Sequence, residues 1–210
     1  SKIGSKVLVK IVDWDTLTGE ILKVIGAKGQ NNTEMESIIL ERGFRIEFPH
    51  SVELEADKIK AEYKNGFEEE IKKRRDMRGV TTMTIDPFDA KDFDDAISFV
   101  DLGNNQYEIG VHIADVSYFV TPGSELDRES EKRGLSVYLV DRTIPMLPEV
   151  LSNDLCSLNP NEDKFTFSSV FKITGEGEVL EEWFGRTVIH SDKRFTYEDA
   201  NDVILGKQDG

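Results

Sequence analysis

Five aspartates fall within the ten positions from Asp86 to Asp95, directly after an apolar approach that ends at Ile85. No packed interior accepts Asp86, Asp89, Asp92, Asp94 and Asp95 together, because each carboxylate makes the charge of the next more costly. Crowded in this way, they either rise in pKa or recruit a divalent cation. Short all-oxygen ligands suit hard Mg²⁺ or Mn²⁺, whereas zinc would want His or Cys nearby.

If Ile85 ends a strand and the chain loops back, Asp86 and the group Asp92, Asp94 and Asp95 converge from two sides, with Pro87 stiffening the turn. In extended backbone Asp92 and Asp94 share one face and Phe93 anchors the other, so Asp95 joins them only through a local twist. The carboxylates outnumber the one or two that Mg²⁺ ordinarily takes. The surplus points to two metals, or to one metal plus a water-orienting base. A calcium loop and a solvated turn are rival readings, although EF-hand spacing fails at Phe88 and Ala90 and at the missing sixth-position glycine. A phosphatase-type nucleophile at Asp92 or Asp94 would ordinarily leave an apolar strand directly, and Asp92 instead follows Ala90-Lys91.

The 210 residues carry 26 Lys plus Arg against 41 Asp plus Glu, a net charge of −15. That balance repels phosphates and speaks against a nucleic-acid binder. Cys156 is the only cysteine, so no internal disulfide forms and a reducing compartment is the simple inference. No apolar run is long enough to cross a bilayer, and the first residues have no apolar signal core, so a cytoplasmic location is expected. Both ends are abrupt, and a fragment of a longer polypeptide is expected.

Val7, Val9 and Ile11 alternate along one strand, and a second β-like run at 20–25 can pair with it across a turn-rich connection. Thr33 and Glu36 form a capping-box pattern for a short helix that Gly43 would stop, closing a β-rich module over residues 1–50. Residues 51–78 are highly charged and predict surface helices broken at Gly66, a solvated helical linker. A competing reading makes 72–78 a basic patch that guides an anionic substrate.

From 79 to 210 the pattern turns to strands at 80–85, 96–100, 107–113, 166–173 and 179–189. Helices are predicted over 124–134, capped by Ser124 and Gly134, and over 196–205, capped by Thr196. His112, inside an apolar strand pattern, reads as a structural histidine; Cys156, Trp14 and Trp183 read as packing residues.

The segment Thr84-Ile85-Asp86-Pro87-Phe88-Asp89-Ala90-Lys91-Asp92-Phe93-Asp94-Asp95 resembles the catalytic motif of the ribonuclease R and ribonuclease II family, hydrolytic 3′-to-5′ exoribonucleases. Three further blocks are similar to family segments in the same order: 74–78, 111–117, and 144–148 followed by 151–158. The resemblance implies an α+β fold, in which a partial OB-type β-barrel (cold-shock) module leads into the first part of a mixed α/β RNB catalytic domain. It implies RNA as partner, held by its single-stranded 3′ end, with Mg²⁺ as cofactor and Mn²⁺ as a substitute, in a monomeric enzyme. Asp86, Asp92, Asp94 and Asp95 match the family's four aspartates, with Asp94 catalytic. Tyr138 matches the aromatic that clamps terminal nucleotides, Tyr197 resembles a second tyrosine of that cavity, and Asp89 is left a loop-structuring role.

Pro87 replaces a family glycine and Phe88 stands where an acidic residue is common. The later Thr-Ser-Pro-Ile-Arg-Arg-type segment, which supplies an arginine for the scissile phosphate, is not in the sequence. The 210 residues by themselves are therefore expected to be inactive, and the alternative is a non-catalytic metal- or RNA-binding fragment.

Overall fold

In a computed structural model, which describes residues 3–207, the chain opens with an antiparallel hairpin of β1 (Ser5–Asp13) and β2 (Thr18–Ala27). The Asp13 carboxylate closes its turn by accepting the Asp15 N–H at 2.9 Å and the Thr16 hydroxyl at 2.7 Å. Trp14 lies in that turn with 75% of its surface open, so it is not the packing residue expected. Helix α1 (Asn31–Glu41) starts earlier than the Thr33–Glu36 pattern predicts, with Gln30 at its N-cap and no side-chain cap. Thr33 is buried instead, and a Cβ on Gly26 would lie 2.3 Å from its hydroxyl. Gly43 ends the helix at φ +80° as predicted.

Helix α2 (His50–Ile71) runs through Gly66 without a break. Val52, Ala56, Ile59, Tyr63, Phe67 and Ile71 recur every third or fourth residue, and that stripe packs into or against the core. Burial along one face outweighs the roughly 1 kcal/mol that a mid-helix glycine costs. The charged segment 51–78 is therefore a wall of the domain rather than a solvated linker. Its cations are also not a free patch: Lys72 pairs with Glu69 at 2.6 Å, Lys73 with Glu70 at 3.2 Å, Arg75 with Glu108 at 3.1 Å and Arg78 with Asp76 at 2.6 Å.

Beyond α2 come β3 (Arg75–Asp76), β4 (Thr82–Asp86), β5 (Asp95–Gly103) and β6 (Gln106–Ala114). Helices α3 (Val116–Phe119) and α4 (Glu125–Arg133) follow, then a small hairpin of β7 (Val137–Tyr138) and β8 (Thr143–Ile144). A single π-helical turn spans Val150–Leu155, and β9 (Asp163–Thr174), β10 (Val179–His190), β11 (Lys193–Thr196) and α5 (Tyr197–Ile204) complete the described chain. Seven strands form one sheet in the order β11-β4-β5-β6-β9-β10-β3, antiparallel except for its two outer pairs. Asn104 and Asn105, both at positive φ, make the tight turn between β5 and β6. Ser124, Gly134 and Thr196 cap as predicted, Thr196 in a full capping box with Asp199.

One sheet face buries Ala96, Ser98, His112, Ala114, Thr166 and Ser168, while Ile97, Phe99, Ile113 and Phe167 on the other stay open. Two polar devices organise the interior. The Arg74 side chain, fully buried, pairs with Glu70 at 3.0 Å and Asp115 at 2.8 Å, and its guanidinium lies 4.2 Å from the Phe165 ring centre. His112 bridges strands, its Nε2 2.9 Å from the Ser98 hydroxyl and its Nδ1 2.7 Å from that of Ser168. Gly110 makes room for the ring, since a Cβ there would come within 2.5 Å of Nε2.

Arg74→Ala removes the buried cation that Glu70 and Asp115 share and leaves them only the more exposed Lys73 at 3.2 Å and Arg186 at 3.4 Å, so it should cost about 3 kcal/mol in urea unfolding. Burial lowers the His112 pKa from 6.5 to about 4, so between those values the unfolded chain binds a proton that the folded chain refuses. Stability should fall as pH drops through that window, and His112→Gln should remove that part of the slope in paired denaturation series, whatever its effect on absolute stability.

Candidate active site

Strand β4 delivers Asp86 as its last residue, and β5 begins at Asp95. The two strands are antiparallel with Thr82 opposite Ser98 and Met83 opposite Ile97, a register that projects Asp86 across from Asp94. The connection 87–94 turns tightly, with the Ala90 N–H donating to the Pro87 carbonyl at 3.1 Å. Sheet pairing therefore gathers carboxylates that lie apart in sequence. Asp86 is buried; Asp95 is open to solvent, and Asp94 keeps open surface while neighbouring groups crowd its carboxyl.

Five hydrogen bonds and one cation–ring contact fix the loop. The Phe93 N–H donates to the Ser157 hydroxyl at 3.0 Å, and the Leu158 N–H donates to the Phe93 carbonyl at 2.8 Å. The Ala114 N–H donates to the Asp94 carbonyl at 2.9 Å. From β11, which runs parallel to β4, Arg194 Nη2 donates to the carbonyls of Pro87 at 2.7 Å and Phe88 at 2.8 Å. The same guanidinium sits 5.0 Å from the Phe93 ring centre. Phe93 is buried, so its ring anchors the aspartates on either side of it, as alternation predicts.

The electrostatics follow from this crowding. Burial pushes the Asp86 carboxyl up; the nearby Thr84 hydroxyl opposes that, Asp95 and Asp92 add to it, and Arg194 lowers it. Asp94 is likewise raised, first by lost hydration and then by Asp92, Asp95 and Asp86. Tyr138 donates its hydroxyl to Asp92 Oδ2 at 2.5 Å, and this bond leads the causes that push its phenol up to about 12. The Tyr138 ring is 64% exposed and open to stacking.

Each expected site residue can thus be placed. Asp86, Asp92, Asp94 and Asp95 sense one another at one end of β4 and β5, and Tyr138 joins them through Asp92. Tyr197 opens α5, 56% exposed, next to Thr196, which pairs with Asp86 across β11 and β4. Asp89 is exposed at the loop tip with no hydrogen bond or ion pair to another described residue, so it does not structure the loop. Arg194 and Ser157 do that instead. Ser157 lies in a block that the family resemblance singles out and Arg194 three residues before Tyr197, but their partners are remote in sequence and nothing local signals the role.

Among the described residues no three carboxylate, imidazole or thiol groups close into a ready cage. The donor set is nevertheless that of a hard cation: four carboxylates, with Asp86 Oδ2 buried and without a hydrogen bond of good geometry. A divalent ion would offset both the lost hydration and the mutual repulsion that raise Asp86 and Asp94. The arrangement can also present an exposed ring, Tyr138, beside that ion.

Comparison with known proteins agrees with the geometry. The RNB domain profile matches residues 74–210, and the cold shock domain profile matches residues 1–49. DIS3-like exonuclease 2 of Xenopus tropicalis is 46% identical over 198 residues, covering 91% of this chain and 23% of that protein. Ribonuclease R 1 of Lactococcus lactis is 41% identical over 193 residues, covering 92% of this chain and 23% of that protein. Among solved structures, Mycoplasma genitalium RNase R in complex with ribose-methylated single-stranded RNA superposes with a TM-score of 0.84 at 27% identity, over 99% of this chain and 32% of that one. The chain spans about a quarter of the length of these curated relatives. With a profile match over more than half its residues and the aspartate loop inside that match, the chain belongs to the RNB domain family, entered through a cold shock domain.

Proposed function

We propose that the chain carries the metal-binding half of a hydrolytic 3′-to-5′ exoribonuclease site that releases nucleoside 5′-monophosphates. The observation that carries this reading is the convergence of Asp86, Asp92, Asp94 and Asp95 at one end of β4 and β5 in an RNB chain, with Tyr138 hydrogen-bonded to Asp92. Membership in a family with ribonuclease R, and the fold shared with an RNA-bound RNase R, supports RNA as the substrate.

Asp86, Asp92, Asp94 and Asp95 would hold Mg²⁺, with Mn²⁺ able to replace it. Bound there, such an ion supplies charge for a non-bridging phosphate oxygen and a lowered pKa for the attacking water. The chain's own residues do the rest. Asp94, flanked by the other three, is the group on which hydrolysis depends most. Tyr138 and Tyr197 offer open rings on which the terminal bases stack, a mode that tolerates any sequence. Arg194 keeps the loop rigid, so the carboxylates hold their places when the ion's charge is introduced. A reducing, cytoplasmic setting accords with a lone cysteine that is buried and unpaired.

Asp94→Asn in the intact protein should abolish monophosphate release, by more than about a thousandfold, while RNA is still retained in a filter assay. Undiminished hydrolysis would remove Asp94 from the mechanism. Arg194→Lys keeps the charge but loses the planar fork that spans two carbonyls and stacks on Phe93. Mn²⁺ affinity, read by the loss of the free-ion electron paramagnetic resonance signal, should fall by about tenfold or more. An unchanged affinity would show that the aspartates keep their geometry without the clamp.

A further inference from the structure

On a chain of net charge −15, the position of unpaired cations is informative, and the basic run 72–78 spends its charges on internal ion pairs. A different place keeps them. Between the turn that follows α1 and the C-terminal end of α4 lies a cavity of about 300 Å³, lined by Arg42, Arg45, Lys132, Arg133, Phe44 and Leu135 among others. Arg42 and Arg45 are exposed, and among the described residues neither side chain has an ion-pair or hydrogen-bond partner.

The floor of this cavity is built. Arg133 donates from Nε to Glu129 at 3.0 Å, and from its terminal nitrogens to the carbonyls of Arg45 at 3.1 Å, Pro145 at 3.2 Å and Glu47 at 2.8 Å. Its guanidinium also covers the Phe48 ring at 3.7 Å. One buried side chain thus staples the end of the cold shock module to α4 and holds the Arg45 backbone against the helix that carries Lys132. Glu129 is the one acidic residue of the lining; Arg133 pairs with it at 3.0 Å and the exposed Lys132 loosely at 3.9 Å, so among the described residues Arg42 and Arg45 are the lining cations left without a partner. The excess is positive.

We propose that this cavity is a second RNA contact, which holds one backbone phosphate of single-stranded RNA on Arg42, Arg45 and Lys132, with the adjoining nucleoside against Phe44 and Leu135. The volume admits about one nucleotide and no duplex. Cations beside an apolar wall match a nucleotide, which carries charge on one side and a flat ring on the other. Strand β7 links the cavity to the aspartates: Val137 lines the cavity, and Tyr138, the next residue, donates to Asp92. Neighbouring side chains of a strand face opposite sides, so an RNA whose 3′ end lies at the aspartates would have to round β7 to meet the cavity upstream. The identity of the ligand rests on the exoribonuclease reading above; the cavity itself does not.

The test uses this chain and a 5′-labelled oligoadenylate, followed by fluorescence anisotropy across a salt series. Arg42→Gln with Arg45→Gln should weaken binding about tenfold or more at low salt and flatten the salt dependence by about 0.7 per cation removed. Lys58→Gln with Lys64→Gln, on the outer face of α2, should leave both nearly unchanged. Equal loss in both pairs would reduce the effect to net charge and overturn the proposal, as would no loss in the arginine pair or no binding by the unaltered chain. Competition by polyglutamate as strong as by unlabelled oligoadenylate would make the cavity an acidic-peptide site instead. Hydrolysis is not read in this assay, so a failure here is distinct from a failure of Asp94 in the intact protein.

Discussion

A single buried guanidinium sets how the layers of this fold meet. Arg74 reaches from just past the end of α2 to Glu70 on that helix and to Asp115 at the end of β6, over the ring of Phe165 on β9. An ion cluster of this kind adds little to stability relative to a well-packed apolar substitute, but removing one member leaves uncompensated charge in the interior. Its effect is on registry. Sliding the long helix along the sheet would cost apolar contacts gradually, whereas it would strand carboxylates at once. Tyr63, Phe67, Tyr118 and Phe119 then pack around Phe165 and the Arg74 site in one aromatic group.

Sheet placement, in turn, determines what the aspartates can do. They are polar groups at the ends of strands whose interiors are firmly packed, so their repulsion is borne by the backbone clamps on the loop rather than relieved by motion. Arg194 is central because it neutralises no single carboxylate by direct contact. It holds two carbonyls of the loop, and leaves the carboxylates free for a cation.

Much of this was legible in the sequence, and for identifiable reasons. Strands with strict alternation, such as those holding Ser98 and His112, and helices with explicit caps at Ser124 and Thr196, announce themselves locally. The aspartate cluster was legible because its density demands a cation or raised pKa values, and the flanking blocks separated it from a calcium loop or a solvated turn. What stayed hidden depends on partners far along the chain: the short parallel strands β3 and β11, the clamp from Arg194, and the continuity of α2 through Gly66, where burial overrides propensity. Polar composition misled over residues 51–78, since a helix with a narrow apolar stripe is mostly charged and still packs. Trp14 and Asp89 show the reverse error, residues given a structural role by type that the fold leaves at the surface.

The pairing of β11 with β4 has a consequence for the order of assembly. Arg194 binds carbonyls 107 and 106 residues earlier in the chain. Contacts of that span carry a large loop-closure cost and form late relative to hairpins such as β5–β6. On a ribosome the aspartate loop would thus emerge, and its hairpin close, well before the strand that locks it is made. Until then the nascent chain holds its acidic residues loosely, so the ordering of the aspartate loop and the completion of the sheet become a single late event.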